Sequence, residues 1–360
     1  MKVVFLVPTT GLTGGIKVVF EYANRLVERG HQVSLVYPYV LPIKPSLGDL
    51  LFGFLKKIRR AMLRLLRIDR VTSFPLDPRI KIIRLHNLSA KFVPNADVCI
   101  ATANETADWL ATYPNHKGRK FYFIQDYETW SRNHQDVDVT WRLPLHRIVI
   151  APWLKDFAKN QFNLPEPDMV LNGIDLKIFN SQKPRNYGDK IRVLIMYHPL
   201  SKKGFIDGLT AFKLAQQKYP SLELIIFGAY RPDRQILKDY KFYYRPNLEQ
   251  LKMIYNSADI FLWPSRFEGF GLPPMEAMAC RCVVISTDTG AIREYAIDQE
   301  TVIIVPPNNP EKMAQFLVNL AHDKSKLSLL SEQAYIKIQD FSWDNSIDRM
   351  EKILTDNLRT

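Results

Sequence analysis

A chain of 360 residues with 46% hydrophobic residues is too long for one ordinary core and suits a folded, two-domain globular protein. Its formal net charge of +12 calls for an anionic partner; 24 Lys+Arg stand against 15 Asp+Glu up to Asn172, and 25 against 22 beyond it, so the excess lies in the first half. The composition argues against a secretory leader at residues 1–8, where the apolar run is short, against a bilayer-spanning run, and against a disulfide or metal framework from Cys99, Cys280 and Cys282, which read as small buried side chains in a reducing compartment.

Residues 2–7 read as a buried strand, and residues 9–15, with Gly11, Gly14 and Gly15, as a glycine-rich loop. Residues 16–29 carry apolar positions at helical spacing (Val19, Tyr22, Ala23, Leu26, Val27); Gly30 stops that helix, and 32–37 is a second strand. This is the start of a right-handed parallel β-α-β unit, without the G-x-G-x-x-G spacing of a dinucleotide site.

Residues 52–70, FGFLKKIRRAMLRLLRIDR, are of another kind. Leu51, Leu55, Ile58, Met62 and Leu65 line one helical face, while Lys56, Lys57, Arg59, Arg60, Arg64, Arg67 and Arg70 occupy much of the rest. A basic amphipathic helix reads as a membrane-surface element. The competing readings are a helix packed on its own domain with a solvated basic face and, in the absence of a recognised module, a nucleic-acid contact.

Residues 98–101 form a short strand, and 120–128 a strand ending in Gln125, Asp126 and Glu128. Ligands of parallel sheets bind beyond carboxyl strand ends, which makes these three binding candidates. Residues 147–151 and 153–162 read as strand and helix, Asn172-Gly173 as a turn, and the polar segment up to Lys190, with Pro184 and Gly188, as a linker. The pattern then restarts: strand 191–197, loop 198–204, helix 205–219, strand 222–227, helix 248–257 and strand 259–263.

That last strand feeds the stretch 264–294, PSRFEGFGLPPMEAMACRCVVISTDTGAIRE. Gly269 and Gly271 let backbone approach a ligand, the prolines Pro273 and Pro274 mark a helix start before Met275, and loop amides with a helix N-terminus form an anion site. Two carboxylates, Glu268 and Glu276, beside such a site suit a sugar nucleotide: amides for the diphosphate, carboxylates for hydroxyls. Residues 283–286 and 301–307 read as strands, 310–322 as a helix, and Phe341-Ser342-Trp343 as the start of a last helix.

The run E-G-F-G-L-P-P-M-E-A-M-A resembles the signature of the retaining glycosyltransferases of family 4, whose fold is the α/β GT-B arrangement of two Rossmann-like domains facing a cleft. The paired Gly14-Gly15, the Asn172-Gly173-Ile174-Asp175 segment, Lys203 before Gly204, and Gly290 with Glu294 are similar to other family motifs, so the resemblance covers nearly the whole chain. The Q-D-Y-E ending at 125–128 is similar to bacterial rhamnosyltransferases of surface polysaccharide. Two departures stand out: His198 occupies the place of an arginine that relatives set five residues before the lysine, and Gln125 that of a histidine.

The resemblance implies an acceptor-side domain at 1–171, a nucleotide-sugar domain at 172–340 and a helix at 341–360 crossing back. It implies Glu268 as the catalytic carboxylate. Glu276, Lys203, His198, Gly269, Phe270, Gly271, Leu272, Arg245 and Asn247, with Gly14 and Gly15, would hold the donor, and Gln125, Asp126 and Glu128 the acceptor. No metal or other cofactor is expected, since no Asp-x-Asp motif is present; the nucleoside-diphosphate sugar is a co-substrate. The expected activity is transfer of a hexose or deoxyhexose, rhamnose or mannose, to a growing lipid-linked bacterial glycan. The expected location is the cytoplasmic side of an anionic membrane, reached through Lys56, Lys57, Arg59, Arg60, Arg64 and Arg67, with no nucleic-acid partner. The alternatives are a sugar-nucleotide epimerase on the same fold and a non-catalytic membrane- or anion-binding protein.

Overall fold

The computed structural model describes residues 1–11, 13–38, 74–129, 132–181 and 183–359. The basic segment 52–70, with its six membrane-surface candidates, lies outside the described residues. The chain forms two compact units: Met1–Val170 with Ile347–Thr360, and Leu171–Ser346.

Unit 1 is built on a seven-stranded sheet in the order β3-β2-β1-β4-β5-β6-β7. Its elements are β1 (Lys2–Leu6), α1 (Gly14–Glu28), β2 (Gln32–Pro38), β3 (Lys81–Leu85), β4 (Val98–Ala101), α2 (Asn104–Ala111), β5 (Arg119–Ile124), α3 (His134–Trp141), β6 (His146–Val149), α4 (Pro152–Phe162) and β7 (Asp168–Met169). Every strand pairing is parallel, from Val3 beside Val33 to Phe123 beside Ile148. A parallel sheet covered on both faces needs apolar residues on both, which is why Val3, Val4, Phe5 and Leu6 are buried in succession. β5 ends at Ile124, so Gln125, Asp126 and Glu128 lie past its carboxyl end rather than in the strand.

Unit 2 repeats the plan with six parallel strands in the order β10-β9-β8-β11-β12-β13. They are β8 (Ile191–Met196), β9 (Leu222–Gly228), β10 (Lys241–Tyr244), β11 (Ile260–Trp263), β12 (Val283–Thr287) and β13 (Ile303–Val305). The helices are α5 (Phe205–Lys218), α6 (Arg234–Asp239), α7 (Leu248–Ser257), α8 (Leu272–Ala279), α9 (Ile292–Tyr295), α10 (Pro310–His322) and α11 (Lys324–Ile338). The final helix, α12 (Trp343–Arg359), starts in unit 2, and from Ile347 onward belongs to unit 1. There His31 Nε2 and Arg29 Nη1 meet the Glu351 carboxylate at 2.7 and 2.8 Å.

Two expected loops have firmer roles. Asn172-Gly173 is not a turn: a Cβ on Gly173 would sit 2.5 Å from the Trp343 nitrogen, so glycine serves close backbone approach, and Ile174 pairs with Ser342 in a parallel bridge. The segment before Lys190 is fastened rather than loose. The Arg185 guanidinium donates to the carbonyls of Arg281 (2.6 Å), Asn256 (3.0 Å), Tyr255 (2.8 Å) and Cys280 (2.6 Å).

Candidate active site

The strand order of unit 2 reverses between β8 and β11, and ligands of open parallel sheets bind beyond the carboxyl ends at such a point. The two loops leaving those strands cross there. A short 3-10 turn, Ser201–Lys203, leads from β8 to Gly204, whose φ is 63°. A Cβ on Gly204 would lie 1.8 Å from the Pro264 carbonyl oxygen, so no other residue lets the loops cross. The Lys202 carbonyl then accepts the Arg266 N–H at 2.8 Å, which ties the loops together.

This crossing brings Lys203 and Glu268 into contact, with Nζ 2.8 Å from each carboxylate oxygen. Glu268 is buried, 7% exposed, and the Ser265 hydroxyl donates to its Oε1 at 2.7 Å. A third loop, after β12, closes on the same residues. Gly290, at φ 65°, would place a Cβ 2.9 Å from that of Glu268, and the Ala291 N–H donates to the Phe270 carbonyl at 3.0 Å.

Helix α8 begins at Leu272, three residues before the expected Met275, so both prolines occupy its first turn, where a missing N–H costs nothing. Gly271, at φ 98°, caps it, and the Tyr295 hydroxyl holds the Gly271 carbonyl at 2.8 Å. Among the described residues, none accepts a hydrogen bond from the amides of Phe270, Gly271 or Leu272, although Phe270 and Gly271 are buried. Unpaired N–H groups at a helix start, next to an ammonium, make an anion site. Gly269 belongs to the same loop and is buried as well. Glu276 follows on α8, 5% exposed, and its Oε2 accepts the Tyr255 hydroxyl at 3.0 Å. Burial, and then the Glu276 charge, hold the Tyr255 hydroxyl well above its ordinary pKa, so it stays a donor.

His198 lies on the loop after β8, its ring edge-on to Tyr230 with centroids 5.0 Å apart. Burial and the neighbouring Lys203 and Lys202 lower its pKa to about 4, which keeps the imidazole neutral at pH 7. The Leu200 N–H donates to Nδ1 at 3.1 Å, so the ring proton sits on Nε2 and is the one available donor. Arg245 adopts φ 48°, and its guanidinium lies 5.2 Å from the Tyr244 ring centroid. Asn247 caps α7, accepting the Gln250 N–H at 2.8 Å, which is a structural duty sufficient to account for it.

The remaining candidates belong to unit 1. Gly14 opens α1; a Cβ on it would meet open space, whereas one on Gly15 would come within 3.4 Å of the Gln125 side-chain amide. Asp126 Oδ1 accepts the Tyr127 N–H at 2.8 Å. Glu128 Oε2 accepts the Asn104 N–H at the start of α2 at 2.9 Å, and burial pushes its carboxyl up to about 8. Carboxyl ends of β1 and β5 therefore gather Gly15 and Gln125, with Asp126 and Glu128 following. An open depression of about 1020 Å³, lined by Asp97, His116, Arg119, Lys120 and His146, lies at the amino ends of β4, β5 and β6, at the opposite end of these strands from the unit 1 candidates.

Ser265, Tyr255 and Tyr295 had no reading of their own in the sequence. Ser265 was within sight, three residues before Glu268; the two tyrosines come from elements whose helical or apolar pattern says only that they are buried.

Residues 177–337 match the family described as Glycosyl transferases group 1. The matched stretch falls within unit 2, Leu171–Ser346. The chain is similar to poly(glycerol-phosphate) alpha-glucosyltransferase of Bacillus subtilis, 29% identical over 168 residues, which are 44% of this chain and 25% of that relative. The match thus spans about a quarter of that relative's length. Among solved structures, sucrose-phosphate synthase from Thermosynechococcus elongatus superposes with TM-score 0.73 at 17% identity over 100% of both chains. The Anabaena protein HepE in complex with UDP-glucose does so with TM-score 0.72 at 15% identity, over 99% of this chain and 100% of that one. Two parallel α/β units with these neighbours make the fold GT-B. The matched stretch contains Glu268, Glu276, Lys203 and His198, and also Arg245 and Asn247.

Proposed function

We propose that the chain is a retaining, metal-independent glycosyltransferase that moves a hexose or deoxyhexose, rhamnose or mannose, from a nucleoside-diphosphate sugar to a lipid-linked bacterial glycan. One observation carries the reading: the unpaired amides of Phe270, Gly271 and Leu272 share the switch point of unit 2 with the Lys203–Glu268 pair. The amides, Lys203 and the Nε2 proton of His198 hold the departing diphosphate. Charge grows on that group as the glycosidic bond lengthens, so donors already in place stabilise the transition state more than the ground state. Glu268 holds sugar hydroxyls and opposes the positive charge developing at the anomeric carbon. Glu276 accepts hydrogen bonds from the ribose. Gln125, Asp126 and Glu128 supply acceptor contacts from unit 1. The name of the Bacillus subtilis relative, an alpha-glucosyltransferase of a polymer, and the UDP-glucose in HepE support this class of donor and acceptor.

The test is incubation with UDP-, GDP- and dTDP-sugars, with and without a lipid-linked glycan, following released nucleoside diphosphate and the anomeric configuration of the product. Acceptor-dependent release with retained configuration, unchanged by chelator, is expected. An inverted product removes retention, loss of activity with chelator removes metal independence, and failure of every donor removes the proposal.

A further inference from the structure

Each of the two glutamates accepts a hydrogen bond from a buried hydroxyl, one on its own loop and one on another helix. Ser265 is 0% exposed, and its Oγ lies 2.7 Å from Glu268 Oε1, against 3.1 and 3.2 Å from the carbonyls of Lys202 and Phe267. A serine has one proton to donate, and the carboxylate is both the nearest and the strongest acceptor. The serine is itself held: the Thr287 hydroxyl, on β12, donates to its carbonyl. Tyr255, on α7, is also 0% exposed and donates to Glu276 Oε2 at 3.0 Å. Its ring meets Phe179, Phe227 and Phe261 nearly edge-on, with centroids 6.0, 5.7 and 5.6 Å away, so packing decides where the hydroxyl points.

We propose that Ser265 and Tyr255 are positioning residues of the donor site: Ser265 orients Glu268 for the sugar, and Tyr255 orients Glu276 for the nucleoside. The inference rests on the function proposed above and deepens it. The two hydroxyls act on different steps. Ser265 serves the carboxylate at the reacting sugar, so its loss falls on kcat. Tyr255 serves the carboxylate on the ribose, so its loss falls on nucleotide affinity. A hydrogen bond to a charged group has an effect of about tenfold to a hundredfold.

The experiment uses the full chain, with transfer kinetics and calorimetric titration of UDP, GDP and dTDP. Ser265→Ala is expected to lower kcat about tenfold to a hundredfold while nucleotide affinity stays within about twofold. Tyr255→Phe is expected to weaken nucleotide binding about tenfold or more. Double mutants decide whether each hydroxyl acts through its glutamate: Ser265→Ala on a Glu268→Gln background, and Tyr255→Phe on Glu276→Gln, should add little further loss. Equal losses on both backgrounds, or loss of nucleotide affinity in Ser265→Ala, overturn the assignment. Tyr255→Phe removes a single oxygen, so its arm stands even where Ser265→Ala reduces folding yield, and unchanged affinity there overturns the tyrosine's role. Impaired glutamate variants beside normal hydroxyl variants sink this inference alone. Normal glutamate variants, or no binding of any of the three nucleotides to wild type, sink the donor-site reading along with it.

Discussion

Lys203 and Glu268 neutralise each other across two contacts of 2.8 Å, and removing either leaves a charge in a largely buried place. Lys203→Ala is therefore expected to raise the donor Kd and lower kcat together, and Glu268→Gln to lower kcat, each about 30- to 1,000-fold, or about 2–4 kcal/mol. His198→Arg should keep activity, since it restores a donor where the neutral imidazole already offers one from Nε2; normal turnover in Lys203→Ala would place the diphosphate elsewhere. Glu128 presents the opposite case, a carboxyl raised to about 8 by burial. Between its unfolded value near 4.5 and about 8 the unfolded chain has released the proton and the native chain has not, so stability falls as pH rises through that window. Glu128→Gln should flatten this slope in urea midpoints measured from pH 5 to 8. Parallel slopes in variant and wild type would show that Glu128 is ionised in the native state.

At the scale of elements, the site depends on loops that cross where only glycine fits. Gly204→Ala meets the Pro264 carbonyl oxygen at 1.8 Å in a left-handed conformation. The backbone penalty alone is about 1–2 kcal/mol, and the displaced carbonyl adds to it. A lower unfolding midpoint with lost donor binding is expected; a variant as stable and active as wild type would mean that the crossing is not required. Helix α8 and its loop were legible from residue types, because glycine, proline and carboxylates at that spacing have few other uses. Helix α11 was not. Leu327, Leu330, Ala334 and Ile338 are buried, but Leu329 and Ile336 are 58% and 61% exposed, which blurs the apolar stripe. Strand β10 was missed for a related reason: none of Lys241, Phe242, Tyr243 and Tyr244 is fully buried at the sheet edge, so the strand lacks the apolar run of its neighbours.

At the scale of the whole molecule, the net charge of +12 still asks for a partner. Seven cations lie between Lys56 and Arg70 with only Asp69 opposing them. Near an anionic leaflet each contributes about 1 kcal/mol, attenuated by salt. Sedimentation with anionic vesicles that fades as salt rises is expected, and reversal of Arg59, Arg60, Arg64 and Arg67 to glutamate should abolish it while nucleotide binding persists. Indifference to vesicles at low salt would assign the charge to another partner. Among the described residues, no helix is long and apolar enough to cross a membrane. What the sequence determined by itself was whatever depends on local chemistry: two β-α repeats, from periodicity and glycine stops, and the 264–294 stretch, from residue types that tolerate few backbones. What only the tertiary structure decided was pairing between residues distant in the chain. Lys203 meets Glu268 from 65 positions away, Tyr255 meets Glu276 from 21, and Arg185 closes on carbonyls up to 96 positions on. Such contacts are set by strand order and by loops crossing at one point, and no local pattern encodes which side chains arrive there together.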